Sequence, residues 1–187
     1  WKNIKAHPNY DAYRQKRDWI QYLEKSQCPT MVVGGWNDEQ NLYGILNSFK
    51  KMIHDAPESK AKLVLGPWSH GHPKRRDSLY YLGDIFYGVD LAKNYQENVE
   101  FDYFEFHLKG KGEEPSFRAH VFNTGSKEWV DFNDDPFADK LNEMTLYLNP
   151  DGELSEQLKK GSDTYFSDPD HPVPFIEDHT FHTMAPK

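Results

Sequence analysis

Cysteine is almost missing from this 187-residue chain: Cys28 stands alone, which excludes an internal disulfide framework and leaves the compartment open. Lys and Arg number 22 against 30 Asp and Glu, and the formal charge of −8 excludes the basic footprint that nucleic-acid binding requires. The one basic run, Lys74-Arg75-Arg76, is short and reads as a solvated loop. No apolar run approaches the length of a membrane span, and no signal peptide is visible. Internal repeats and low-complexity linkers are lacking as well. Before residue 38 no serine lies in a G-x-S-x-G setting; Ser26 sits in EKSQC without flanking glycines. What the chain has in quantity is aromatic residues, at 15%, enough to line a substrate cleft or to fill a thick β core.

Two short apolar runs carry the chemistry. In Pro29–Gly35, PTMVVGG, the residues Met31, Val32 and Val33 precede Gly34-Gly35, the pattern of a buried strand ended by turn residues. Trp36, Asn37 and Asp38 follow in the loop. In Lys62–Gly71, KLVLGPWSHG, the residues Leu63, Val64 and Leu65 precede Gly66-Pro67, and His70 follows on a tight small-residue loop. Between them, Glu39 to His54 has helical spacing, with Leu42, Ile45, Leu46, Phe49 and Ile53 on one stripe. The order is strand, acid loop, helix, strand, histidine loop. Ligands collect at the carboxyl ends of strands in open α/β sheets, and the acid-then-histidine order is that of the second and third members of an α/β-hydrolase triad. A carboxylate beside a histidine fixes its tautomer and stabilises the imidazolium formed when it takes a proton from a serine. The alternative for Asp38 is a helix cap, since it stands just before the helical stripe.

Elsewhere, Asp11 to Lys25 follows the helical period in part, and Ala92 to Lys109 is amphipathic with Gly110 as its stop. Asp77 to Asp90 is mostly aromatic or apolar and suits buried packing or a pocket wall. After Gly112-Glu113-Glu114-Pro115 the texture changes: Phe117–Asn123, Glu128–Phe132 and Met144–Leu148 read as short strands between turn clusters such as Asn149-Pro150-Asp151-Gly152. A domain boundary is expected near residues 112–116.

Five stretches resemble the CocE/NonD hydrolases, the group that joins X-Pro dipeptidyl-peptidases, cocaine esterase, α-amino-acid ester hydrolases and glutaryl-7-aminocephalosporanic acid acylases. They are HPNYDAY at 7–13, PTMVVGGWND at 29–38, LVLGPWSHG at 63–71, FDYFEFHLKG at 101–110 and SDPDHPVPF at 167–175. The last looks most like the amino-acid ester hydrolase and acylase branch. The resemblance implies an α/β fold: the end of a helical cap at 1–27, the C-terminal part of an α/β-hydrolase domain at 28–114, and the beginning of a β jelly-roll domain at 115–187. It implies Asp38 as triad acid and His70 as triad base in a serine esterase or acylase acting on a small-molecule ester or amide, with an X-Pro dipeptidyl-peptidase activity as the alternative. The serine itself has no match here, so the chain reads as a C-terminal fragment lacking the nucleophile elbow and inactive by itself. A secreted or periplasmic location is compatible with the family, as is a homo-oligomer.

The family's ester hydrolases carry acidic residues two and three positions after the triad acid, where this chain has Gln40 and Asn41. Neutral amides keep hydrogen bonds to a substrate but lose the attraction for an ammonium group, roughly 1 kcal/mol or more per unit charge at short range. Trp36 and Trp68, each beside a triad candidate, are candidates for the acyl pocket and equally for packing under the loops. His70 and His72 with His179 and His182 lack the helical i, i+4 spacing of a zinc motif, so neither a metal nor a cofactor is expected. From another class, a carbohydrate-binding or oligomerisation jelly roll without catalysis would account for the strands after Phe117, but not for Asp38 and His70 after successive strands.

Overall fold

The computed structural model describes residues 1–71, 79–82, 85–138 and 143–173. It divides into two compact units, one of Trp1–Pro136 and one beginning at Phe137. Lys74–Arg76, His72, His179 and His182 lie outside the described residues, as do parts of the 77–90 and 167–175 stretches.

The first unit opens with two short helices, α1 (Lys2–Ala6) and α2 (Ala12–Gln15), and a 3-10 segment, Ile20–Lys25. The helical period seen across 11–25 is thus split in two. Asp11 caps α2 by accepting from the Arg14 N–H, and also bonds His7 Nδ1 at 2.6 Å. His7 in turn stacks on Tyr13 with ring centroids 4.1 Å apart. HPNYDAY is therefore a small knot in which Asp11 holds both His7 and the start of α2.

Strand β1 (Met31–Asn37) leads through α3 (Leu42–Asp55) to β2 (Lys62–Ser69), and β1 and β2 pair in parallel. Every residue of β2 is buried, as expected of a central parallel strand covered on both faces. A short antiparallel pair, β3 (Tyr81–Leu82) and β4 (Ile85–Phe86), precedes a long helical run. That run is α4 (Leu91–Tyr95), a π-helical turn at Gln96–Glu100 and α5 (Phe101–Lys109). Asp90 caps its start and Gly110, left-handed at φ 65°, ends it. Val64 and Trp68 of β2 pack with Leu91, Tyr95 and Val99 of this run in one continuous core, with Met31 and Val33 of β1 at its margin.

Strands β5 (Ala119–Asn123) and β6 (Glu128–Phe132) form a hairpin, as their alternation suggested. Their place differs from expectation. β5 pairs in parallel with β2, Leu63 opposite Ala119 and Leu65 opposite Val121, giving one sheet of order β1-β2-β5-β6. The sheet runs across the boundary expected at 112–116, and the compact unit continues to Pro136. Turn-rich sequence after Gly112 marks a change of local texture; the partner of β5 is a strand more than fifty residues earlier in the chain, a pairing that local pattern does not encode.

Lys62, the first residue of β2, secures that junction. It is buried, and its ammonium donates to the carbonyl oxygens of Pro115 at 2.6 Å and Phe117 at 3.0 Å. Arg118 Nη1 donates to the Ala61 carbonyl at 2.9 Å.

In the second unit, β7 (Tyr147–Leu148) and β8 (Leu154–Ser155) form an antiparallel pair around Asn149-Pro150-Asp151-Gly152. The buried Asn149 side chain organises this turn: its amide donates to Ser155 Oγ and the Gln157 carbonyl, and its oxygen accepts from the Lys159 N–H. Among the described residues no helix is long and apolar enough to cross a membrane.

Candidate active site

The geometry of the site starts with an irregularity in the sheet. The β1–β2 register runs regularly to Gly35 opposite Gly66, then resumes with Asn37 opposite Ser69, so β2 carries one extra residue. A bulge suits Pro67, which has no N–H to give the ladder. Its carbonyl accepts instead from Asn37 Nδ2 at 3.0 Å. After this correction Asp38 and His70 each come one residue past a matched pair, at neighbouring carboxyl ends of parallel strands.

Glycine makes the approach possible. A Cβ on Gly35 would lie 1.9 Å from the Trp68 carbonyl oxygen, a backbone atom that cannot swing aside. One on Gly66 would enter the Trp68 ring at 2.4 Å. The GG and GP steps that mark strand ends in the sequence are thus required by contact between β1 and β2 and by the seating of one tryptophan.

The residues past the strands converge. His70 Nδ1 lies 3.2 Å from Asp38 Oδ2. Asp38 is 6% exposed, whereas the His70 side chain keeps 46% of its surface open. Asp38 also accepts the Asn41 N–H at 3.1 Å in the turn leading into α3. The capping and histidine-partner readings of Asp38 therefore coexist: one carboxylate oxygen serves the turn, the other faces the ring. Burial pushes its carboxyl upward, but the hydrogen bonds from the Asn41 side chain and N–H, then that with His70, outweigh it and hold the group below the usual carboxylate range.

Asn41 reaches further than expected. Its side-chain nitrogen donates to Asp38 at 3.3 Å and 3.1 Å, to Oδ1 and Oδ2, and lies 2.8 Å from His70 Nδ1. Its amide is thus seated between acid and histidine. Gln40 lines the adjacent cleft and is exposed.

That cleft has a volume of about 1050 Å³ and runs along β1, which among the described residues pairs only with β2. Asp38, Asn41 and His70 stand on one side; Tyr95, Glu100, Tyr103 and Phe104 of the helical run line another. Tyr95 donates to Glu100 at 3.2 Å. Burial pushes the Tyr103 phenol up to about 12, so it stays neutral through the physiological range. Among the described residues the Tyr103 hydroxyl and the Trp68 indole N–H have no hydrogen-bond partner.

The two tryptophans separate. Trp68 lines the cleft but is 1% exposed, wedged against Tyr95 and Trp129 with ring centroids at 5.4 Å and 5.8 Å. Trp36 donates its indole N–H to the Phe122 carbonyl at 2.9 Å, tying the end of β1 to β5 across the sheet. The sequence reading missed Tyr103 and Glu100, whose place on the cleft follows from how the long helix packs; the π-helical turn between α4 and α5 rotates the second half of that helix, and hydrophobic spacing alone does not reveal it.

Parallel strands joined by a helix make this a mixed α/β fold, with an acid and a histidine in contact at the carboxyl ends of two strands. Comparison with known proteins is consistent. Residues 1–72 match the family model of X-Pro dipeptidyl-peptidase (S15 family). Cocaine esterase from Rhodococcus sp. (strain MB1 Bresler) is 26% identical, the match covering 91% of this chain and 30% of the esterase. Among solved structures, an aminopeptidase from the marine sediment archaeon Thaumarchaeota archaeon superposes with a TM-score of 0.80 at 30% identity, over 95% of this chain and 30% of that one. A selenomethionine-labelled α-amino acid ester hydrolase superposes with a TM-score of 0.78 at 26% identity, over 94% and 30%. Together these matches support the resemblance to the CocE/NonD hydrolases. The chain spans 30% of the length of each of these three relatives.

Proposed function

We propose that this chain supplies the acid and the base of a serine hydrolase acting on ester or amide bonds, with His70 as general base and Asp38 as the group that orients it. The observation that carries the proposal is the 3.2 Å approach of His70 Nδ1 to a buried, ionised Asp38 at the ends of β1 and β2. Relatives whose names describe an esterase, an ester hydrolase and an aminopeptidase support acyl transfer as the reaction class.

The nucleophile is a serine from sequence outside these residues. His70 Nε2 accepts its proton as Oγ adds to the substrate carbonyl, then returns that proton to the departing alcohol or amine, leaving an acyl-serine. Water, deprotonated by the same nitrogen, adds to the acyl carbon, and the serine leaves with the proton. Asp38 stays ionised and stabilises the imidazolium between the two transfers.

A glutaryl-7-aminocephalosporanic acid acylase-like or α-amino-acid ester hydrolase-like substrate range fits the terminal sequence pattern, and the second unit is proposed as the beginning of a jelly roll. The match of residues 1–72 to the X-Pro dipeptidyl-peptidase family model and the aminopeptidase neighbour favour a second reading, release of dipeptides after proline. The test uses the whole protein that carries this chain. A serine-directed phosphonate should abolish hydrolysis of an activated ester and label one serine. Hydrolysis that survives full labelling contradicts the proposal. Faster cleavage of an X-Pro anilide than of a glutaryl amide or an amino-acid ester selects the peptidase reading.

A further inference from the structure

The sheet is least regular at the last step before the acid and the histidine. Backbone bonds fix the acid side: the Asp38 N–H donates to the Gly35 carbonyl at 3.2 Å, and the Asp38 carbonyl accepts from the Leu42 N–H at 3.0 Å. Asp38 therefore moves with β1 and the start of α3. His70 follows β2, which ends at Ser69, and Gly71 beyond it takes a left-handed φ of 74°. The reach of His70 Nδ1 to Asp38 Oδ2 thus depends on how firmly the end of β1 is held to the end of β2.

The bulge weakens that hold. Between the Gly35–Gly66 and Asn37–Ser69 matches β2 carries one residue more than β1, and a bulge disrupts the ladder where it stands. Pro67 is fully buried and has no N–H to offer. Its carbonyl, away from water, requires a donor and finds one in Asn37 Nδ2 at 3.0 Å. Turning that amide over would set two oxygens against each other, so the donor is fixed in place. The neighbouring Trp36 indole donates to β5 instead, at the Phe122 carbonyl. Asn37 spans the irregular step; it stands directly before Asp38, and its backbone partner Ser69 stands directly before His70.

We propose that Asn37 is a positioning residue: by bonding the Pro67 carbonyl across the bulge, its amide sets the spacing of the β1 and β2 ends and so keeps Asp38 Oδ2 within reach of His70 Nδ1. The inference deepens the hydrolase reading and rests on it for its effect on turnover. Without the amide the Pro67 carbonyl is stranded, the strand ends part, and the carboxylate no longer holds the ring in line. A misplacement of about 1 Å in such a constellation costs on the order of a hundredfold in rate. Substrate affinity does not depend on this bond, so the loss falls on kcat.

The test measures kcat and KM for an activated ester, beside urea midpoints, in the whole protein and its Asn37→Ala, Asn37→Asp and Lys62→Ala variants. Asn37→Asp keeps the size of the side chain while replacing the donor with an acceptor, and it serves where Asn37→Ala does not fold. Lys62→Ala loosens the opposite end of β2 and reports what lost stability alone does to turnover. The folded Asn37 variants should lose about ten- to a hundredfold in kcat with KM within about threefold of wild type. Lys62→Ala should lower the midpoint and leave kcat within about twofold. A folded Asn37 variant with wild-type kcat overturns the inference, whatever its midpoint or KM. Equal falls in kcat for the Asn37 and Lys62 variants overturn it as well, because general loosening of β2 then accounts for both. Turnover that survives His70→Ala removes the hydrolase reading, whereas His70-dependent turnover untouched by Asn37→Ala removes this inference alone, so the two failures are distinguishable.

Discussion

Asp38 and His70 meet through Oδ2 and Nδ1 at 3.2 Å, although thirty-two residues of chain separate them. The carboxylate is buried and the imidazole half-open, which suits a fixed acid and a base that must reach a substrate. Their meeting depends on a bulge at Pro67 and on the absence of side chains at Gly35 and Gly66, so chemistry and packing are set by the same few residues.

Asp38 links the site to acid stability. Its folded-state carboxyl lies below the unfolded value of 3.8, so between those two values the unfolded chain binds more protons and stability rises with pH. The contribution is complete above the unfolded value and is lost as pH falls through the folded one. Urea midpoints of wild type and Asp38→Asn, measured from pH 6 down to about pH 2, should show a shallower acid fall in the variant. Parallel curves would show that Asp38 is not held ionised by its partners.

Gly35 should tolerate no side chain. Gly35→Ala forces a Cβ onto the Trp68 carbonyl oxygen, whereas Gly34→Ala meets only the Ile45 side chain, with Cδ1 at 2.5 Å and Cγ2 at 2.8 Å, and no backbone atom. Overpacking costs of about 1–3 kcal/mol are common, and a backbone clash lies at the upper end or beyond. Thermal unfolding should therefore place Gly35→Ala well below Gly34→Ala. Equal melting temperatures would mean that β1 and β2 do not approach as described.

Lys62 is expected to be structural. Lys62→Ala removes the donor from the Pro115 and Phe117 carbonyls and should cost about 2–4 kcal/mol by denaturant titration, the penalty for stranding buried acceptors. Lys62→Met keeps the packing of the stem and should recover part of that loss. No change in either variant would remove Lys62 from the junction of β2 and β5.

Trp36 and Trp68 should separate in kinetics. Trp36→Phe loses the bond to the Phe122 carbonyl and should lower stability by about 1 kcal/mol with KM within about twofold of wild type in the whole protein. Trp68→Ala removes a fully buried indole and should cost about 3–5 kcal/mol. A large KM effect of Trp36→Phe with unchanged stability would return Trp36 to the pocket.

The parts of this account that lay open in the sequence are local. Met31–Val33 and Leu63–Leu65 mark strands because parallel strands buried on both faces are continuous apolar runs, and Leu42–Ile53 marks α3 by its stripe. The order of acid and histidine followed from those elements. Long-range pairing did not: β5 shows the alternation of any hairpin strand, and nothing in Ala119–Asn123 names Leu63 and Leu65 as its neighbours. The role of Asn41 was hidden for a related reason. Its position after Asp38 suggested a substrate contact, while the turn into α3 folds its amide back onto the acid and the histidine.

The central claim is that His70 is the base, and its most direct test is the steady-state hydrolysis of an activated ester by the whole protein and its His70→Ala variant. With His70 as the base, kcat should fall at least about a thousandfold while KM stays within a few-fold of wild type. A variant that keeps near wild-type turnover would contradict it.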